Sequence, residues 1–314
     1  MGRMAETQVA KIAQAASKAP SVHNTKPWRL AEASDRLDVH ADPTRALHVL
    51  DPTGRQLHVS CGAAVEFAYL SARGAGRACL VTVLPDPHDS TLLARLSLGG
   101  DEAPTAREAA LAAAIDARHT DRGAYSDEPV PAEVVDDARR RAAELGGWLR
   151  RIERPDDRRT LIAVLADSEA AEAADPAYRD EIARWTRSVN SESEVGLSPE
   201  AVAPVWPTER VSDVPLRDFT GAARHPRPGD HPDAPAPMVE RDLLLLIGTE
   251  YDEPGSWLGA GRVLGWTLLR ATAAGVVAQP LAQAIDLQGG RERLRHELGL
   301  VGHVQFVLRL GVKS

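Results

Sequence analysis

Five consecutive residues, Arg118, His119, Thr120, Asp121 and Arg122, place two guanidinium groups and a hydroxyl close together after an apolar periodic stretch. Basic residues at a helix C-terminus ordinarily serve the macrodipole; a planar guanidinium fork beside a hydroxyl also suits a phosphate. A second stretch, Pro20, Ser21, Val22, His23, Asn24, Thr25, Lys26 and Pro27 before Trp28, reads as a helix stop, an Asn/Thr turn and an aromatic entering the core. A third, Pro280, Leu281, Ala282 and Gln283, follows a short apolar run and reads as a strand-to-helix turn. Gly259 to Gly265 fails as a dinucleotide fingerprint because Leu264 stands at the third glycine position, and it reads as a helix start instead. The ten histidines show no paired metal spacing and there is no Gly-x-Ser-x-Gly elbow, so hydrolase and metalloenzyme chemistry find no support.

Elements must exist to position these residues, and 314 residues at 43% hydrophobic and 26% charged can bury one large core or two modest ones. The most strongly apolar run, Leu243 to Ile247, is far short of a membrane span, and the N-terminus has no apolar signal core. With only Cys61 and Cys79, a disulfide framework is excluded; a soluble cytoplasmic protein is expected. A net charge of −8 argues against nucleic acid, and the arginines between Arg139 and Arg154 read as solvated helix faces.

Helical spacing of Val9, Ile12, Ala13 and Ala16 predicts a first helix stopped by Pro20, and Arg36 to His40 alternates as a short strand. Gly62 to Gly76 reads as a helix and Ala78 to Leu84 as a strand. Further helices are expected from Pro104 to Ile115, after Pro131, over 156–174 and 176–187, and over 261–275. Strands are expected at Trp148 to Ile152, Asp242 to Gly248, Val276 to Ala278 and Val304 to Leu310.

Gly62, Leu70, Ala72 and Gly76 match Gly261, Leu269, Ala271 and Gly275 at one constant offset of 199 residues, which points to an internal repeat. Ser188 to Met238 holds nine prolines and little periodicity, the composition of a linker, a disordered insert or a lid.

The stretch from Ala19 to Trp28 resembles the Ala-Pro-Ser-x-x-Asn-x-Gln-Pro-Trp signature of the nitroreductase family, and especially its tandem, Acg-like branch; Lys26 replaces the glutamine. Arg118 to Arg122 resembles the family's Arg-x-Ser-x-Arg/Lys element. The resemblance spans about Val9 to Val312 and implies an α+β fold, internally duplicated, as a single-chain pseudodimer of two sheet-plus-helix halves. The expected division is 1–100 and 101–314, with a lid-like insert at about 188–238. In conventional relatives both elements lie in one subunit. Here the first half carries only the Asn24 element and the second only the Arg118 element, while Ala142 to Trp148 has lost the turn motif. That division implies one flavin mononucleotide (FMN) site per chain, where the halves meet.

The resemblance further implies FMN contacts from Ser21, Val22, His23 and Asn24, phosphate and ring-edge contacts from Arg118, His119, Thr120 and Arg122, and a backbone donor to flavin N5 within Pro280, Leu281, Ala282 and Gln283. Relatives carry arginines after the last strand that reach the phosphate, whereas this chain ends on Lys313 and Ser314. Three functions follow as expectations: an oxidoreductase passing electrons from NAD(P)H to a small nitroaromatic or quinone, a flavin-sequestering protein with the insert over the ring, and a flavin-free binding module. The expected state is a monomer or weak homodimer.

Overall fold

Two four-stranded antiparallel sheets share one strand order and one helix between their middle strands. The computed structural model describes residues 8–123, 125–188, 191–198, 213–214, 242–286 and 288–313. The first sheet runs β1-β2-β4-β3 and comprises β1 (Trp28–Glu32), β2 (Arg36–Ala41), β3 (Arg77–Val83) and β4 (Leu92–Asp101). The second runs β5-β6-β8-β7 and comprises β5 (Gly147–Arg151), β6 (Leu243–Thr249), β7 (Val276–Pro280) and β8 (His303–Val312). One irregularity is shared: β2 shifts register against β4 between Val39 and His40, and β6 against β8 between Ile247 and Gly248, whereas the shift of β3 against β4 between Arg77 and Cys79 has no counterpart in the second sheet. The chain is therefore a duplicated α+β fold, a pseudodimer within one polypeptide.

Two 20-residue helices, α2 (Arg55–Gly74) and α7 (Pro254–Ala273), pack against each other where the halves meet. Gly62 and Gly261, the repeat glycines, face one another at this crossing. A Cβ on either would lie 2.9 Å from the other's Cα, and closer still to the carbonyl oxygen of Leu258 or Val59 respectively. Backbones this close admit no side chain. Glu66, wholly buried on α2, completes the contact: its carboxylate accepts from Arg262 Nε of α7 at 2.8 Å and from Arg141 Nη2 of α4 (Ala132–Glu144) at 2.5 Å.

The helix α1 (Gln8–Ala16) buries Val9, Ile12, Ala13 and Ala16 as its spacing predicts. Thr105 and Glu108 form a reciprocal capping box at the start of α3 (Ala106–Ala113). The helices α5 (Pro155–Ala174) and α6 (Pro176–Trp185) each start on proline. Although α6 belongs to the later sequence, it docks on the first half: Glu181 accepts from the amides of Val49 and Leu50 at 3.0 and 2.9 Å, and Tyr178 and Ile182 pack with Leu47 and Leu50.

Several expectations are corrected. Both central helices begin about two turns before the predicted Gly62 and Gly261 starts, so Gly259 to Gly265 lies inside a helix. The opening turns of α2 were hidden because Arg55, Gln56 and Ser60 are polar yet buried, their polarity absorbed by specific partners such as the Ile285 and Gln305 carbonyls on Arg55. Strands β1 and β4 and the short helices α8 (Gln283–Asp286) and α9 (Gln288–Glu297) are not among the expected elements, although Ala94, Leu96 and Leu98 of β4 alternate with Arg95 and Ser97 as a half-buried strand does. Most of the proline-rich insert, including Trp206 and Phe219, lies outside the described residues. No helix among the described residues is long and apolar enough to cross a membrane, and none of them form a group of three or more metal-ligating side chains.

Candidate functional site

A cleft of about 460 Å³ opens where the halves meet, in the size range of small-molecule sites. The first half contributes Ser17 to Asn24, Lys26, and Gln56, Val59 and Ser60 from the opening turns of α2. The second contributes Arg118, Thr120 and Arg122, Gln279, Pro280 and Ala282, Leu264 of α7 and Phe306 of β8. Arg187 and Gly196 to Ser198, at the start of the insert, close one side.

The Ser21 to Pro27 turn is wound tightly. His23, Asn24 and Lys26 all take positive φ, 45°, 52° and 46°, a conformation few side chains adopt without local support. Support comes from side chains the sequence supplies nearby. Ser21 Oγ accepts from the Lys26 amide at 2.9 Å, Thr25 Oγ1 donates to the Val22 carbonyl at 3.0 Å, and Ser60 Oγ accepts from the Val22 amide at 3.1 Å. Trp28 then enters the core. Asn24 turns its amide to the insert: Nδ2 donates to the carbonyls of Glu194 and Gly196 at 2.6 and 3.1 Å, and the Gly196 amide donates back to the Asn24 carbonyl at 2.9 Å. Lys26, the departure from the family signature, pairs with Glu194 at 3.1 Å.

The Arg118 to Arg122 segment runs along the edge strand β7. Thr120 bridges Ala278 in parallel, and the Asp121 amide donates to the Ala278 carbonyl at 3.0 Å. Tyr125 locks the far end, its hydroxyl donating to the Asp121 carbonyl at 2.9 Å while the guanidinium of the buried Arg309 sits 4.0 Å from its ring centre. Arg309 in turn reaches Asp242 and Gln279 at 2.8 and 2.9 Å.

Arg118 is the electrostatic centre of the cleft. Its Nε is shut off from solvent with no acceptor, no carboxylate pairs with it among the described residues, and burial lowers its guanidinium to about 10. A cation held in such surroundings without a counter-ion is costly, and an anionic ligand would offset the cost. The two lysines of the wall are matched, Lys18 with Asp116 at 2.5 Å and Lys26 with Glu194.

Of the residues singled out from sequence, Ser21, Val22, His23, Asn24, Arg118, Thr120, Arg122, Pro280 and Ala282 line one cleft although they come from segments up to about 260 residues apart. Three stand back from it. His119 is exposed, its Nδ1 3.1 Å from the Ala117 carbonyl. Leu281 is wholly buried in the core and its amide donates to the Val307 carbonyl at 2.9 Å, while Gln283 is buried beneath the turn. The amides of Ala282 and Gln283 have no partner among the described residues. Gln56, Ser60, Lys18 and Arg187 line the cleft without having been singled out; a Gln/Ser pair four apart before the Gly62 helix was the available signal for the first two.

No protein-family model matches the chain. A Mycobacterium tuberculosis protein that bears the name "Putative NAD(P)H nitroreductase" is 32% identical over 309 residues, 98% of this chain and 85% of its own. The chain belongs to the nitroreductase family. The Acg protein of the same organism, with the same family name, is 27% identical over 310 residues, 98% of this chain and 90% of its own. Among solved structures, a Bacteroides fragilis nitroreductase with bound FMN aligns over 65% of this chain and 88% of its own at 14% identity and a TM-score of 0.37. None of these similarities lends support to the sequestering alternative.

Proposed function

We propose that this nitroreductase-family chain binds one FMN in the cleft and works as an NAD(P)H-dependent oxidoreductase on small aromatic acceptors such as nitroaromatics or quinones. The observation that carries this reading is Arg118, a desolvated cation with no counter-ion among the described residues, in a cleft built by both halves. The curated relatives' names supply the electron donor, NAD(P)H.

The residues fit the group. Arg118 and the Thr120 hydroxyl would hold the phosphate, and Arg122 would put positive charge at the N1 and O2 edge of the ring. The unused amides of Ala282 and Gln283 stand ready as donors to N5, held by the Leu281 bond to Val307 on one side and by Arg55 on the Ile285 carbonyl on the other. The Ser21 to Asn24 turn would form the opposite wall. When bound, the flavin would supply two-electron transfer; the protein's part is to fix it, bias its edge electrostatically and leave room for a second ligand. We place the boundary of the halves near residue 101, where β4 ends, and read the functional unit as a monomer because one chain holds both walls.

Reconstitution tests the proposal. Purified protein titrated with FMN should bind one equivalent, and anaerobic NAD(P)H should then bleach the flavin absorbance. Protein that takes up no FMN defeats the cofactor assignment; protein that binds FMN but is never reduced defeats the reductase assignment.

A further inference from the structure

Arg118 is not the only arginine of the cleft with a stranded nitrogen. The Nε of Arg187 is likewise closed off from solvent and has no acceptor, and no carboxylate pairs with Arg187 among the described residues. The flavin assignment gives Arg118 an occupation; it gives Arg187 none.

Arg187 is held in position by a built piece of backbone. Its amide donates to the Leu197 carbonyl at 2.8 Å, the Leu197 amide returns to the Trp185 carbonyl at 2.8 Å, and Thr186 and Leu197 form a parallel bridge. Gly196 makes room for the stem. With φ at +97° and no side chain it lies where a Cβ would be 2.6 Å from the Trp185 carbonyl oxygen and 3.3 Å from Arg187 Cγ. The same glycine exchanges hydrogen bonds with Asn24, so the arginine is fixed to the first-half wall, whereas Arg118 is fixed to β7 of the second. Arg187 Nη1 donates to the Ser193 carbonyl, a neutral acceptor that leaves the charge uncompensated. Lys26, its cationic neighbour on that wall, is already set against Glu194.

We propose that Arg187 is an anion subsite for the second ligand of the cleft, taking a phosphate or carboxylate carried by the molecule that shares the cleft with the flavin. This rests on the flavin reading above. One flavin brings one phosphate, for which Arg118 and Thr120 are the suited partners, so a second placed cation, fixed to the first-half wall, calls for a second anion. Two ligands offer that chemistry: the electron donor, through the extra phosphate that distinguishes NADPH from NADH, and an acidic aromatic acceptor, through its carboxylate.

Equilibrium titrations of the full chain, before and after addition of FMN, test the subsite with two pairs of non-turnover probes, NADP+ against NAD+ and nitrobenzoate against nitrobenzamide. The wild-type chain should prefer the anionic member of at least one pair by about tenfold or more, the scale of one charge-assisted hydrogen bond. Arg187→Met should abolish that preference and change the FMN Kd by less than about threefold, and Arg187→Lys should restore part of it. Arg187→Gln, which keeps a donor for Ser193 without the charge, should behave as the Met variant does; if it keeps the full preference, loop order rather than charge is responsible and the proposal falls. It falls equally if neither anionic probe is preferred by the wild-type chain, or if Arg187→Met weakens FMN as severely as loss of Arg118, which would make Arg187 a flavin-phosphate ligand. A chain that binds no FMN yet shows an anion preference that disappears in Arg187→Met would keep the subsite and sink the flavin reading.

Discussion

The loop after α1 and the turn after α4 occupy equivalent places in two copies of one fold. The first, Ser17 to Pro27, builds a cleft wall with three positive-φ residues; the second is reduced to Leu145 and Gly146 between helix and strand. On the other side of the comparison, the second half supplies the Arg118 to Arg122 segment along β7, which lines the cleft together with the first half's loop. Once both halves share a chain, each wall of a site need be supplied only once. What survives in duplicate is the part both halves still need to fold: the sheets, the central helices and the facing glycines.

The sharpest asymmetry inside the duplicated part is Glu66, whose counterpart at the 199-residue offset is Gly265. Glu66→Ala should destabilise the chain by about 3–5 kcal/mol in urea unfolding, because it strands Arg141 and Arg262 without their buried carboxylate. A loss below about 1 kcal/mol would mean that this lock between the halves is incidental. Next comes Arg118→Ala, expected to weaken FMN binding by about 2–5 kcal/mol while making the apo protein no less stable, since a buried cation without a counter-ion is removed. Fluorescence titration reads the affinity, and two flavins per chain would overturn the picture of a single composite cleft.

Where the halves are alike, substitutions should act alike. Gly62→Ala and Gly261→Ala should each cost about 1–3 kcal/mol and agree within about 1 kcal/mol, since each Cβ meets the other helix's backbone. Unequal losses would break the reciprocity of the crossing. The smallest effect separates two carboxylates at the entries to the central helices. Burial pushes Asp51, before α2, above the usual range despite its bond to the Leu57 amide; burial also opposes ionisation of Asp252, before α7, but Arg291, Gln305 and Trp257 hold it well below that range. The signs are opposite. Asp252 adds stability above its unfolded pKa near about 4, lost as pH falls toward its depressed folded value, whereas stability linked to Asp51 is present at low pH and lost as pH rises through its raised folded value. The fall in Tm between about pH 5 and pH 3 should flatten in Asp252→Asn and persist in Asp51→Asn; equal curves for the two variants would remove the distinction.

Much of this was legible in the residues. Apolar periodicity located the framework from α1 to β8, and the offset between Gly62 and Gly261 located the crossing, because close backbone approach leaves glycine as the only choice. Family-like motifs gathered nine of the cleft's lining residues. What stayed hidden depends on three-dimensional partnership. Gln56 and Ser60 are polar residues in a buried helical turn, Leu281 is an apolar core residue within a motif otherwise facing the cleft, and Arg187 draws its place from a bridge to Leu197 that no spacing announces.

The contact between α2 and α7 also has a history within each molecule's synthesis. Sixteen of the twenty residues of α2 are buried in the finished protein, and much of one side is covered by a helix encoded 199 residues later. At roughly 5–20 residues per second, the ribosome delivers that cover roughly 10–40 seconds after α2 itself emerges. Through that interval the groove around Gly62 faces water or whatever holds nascent chains. Two separately made subunits would each have to find a partner by diffusion before this face was covered; in this chain the first half waits only for its own C-terminal half to be translated.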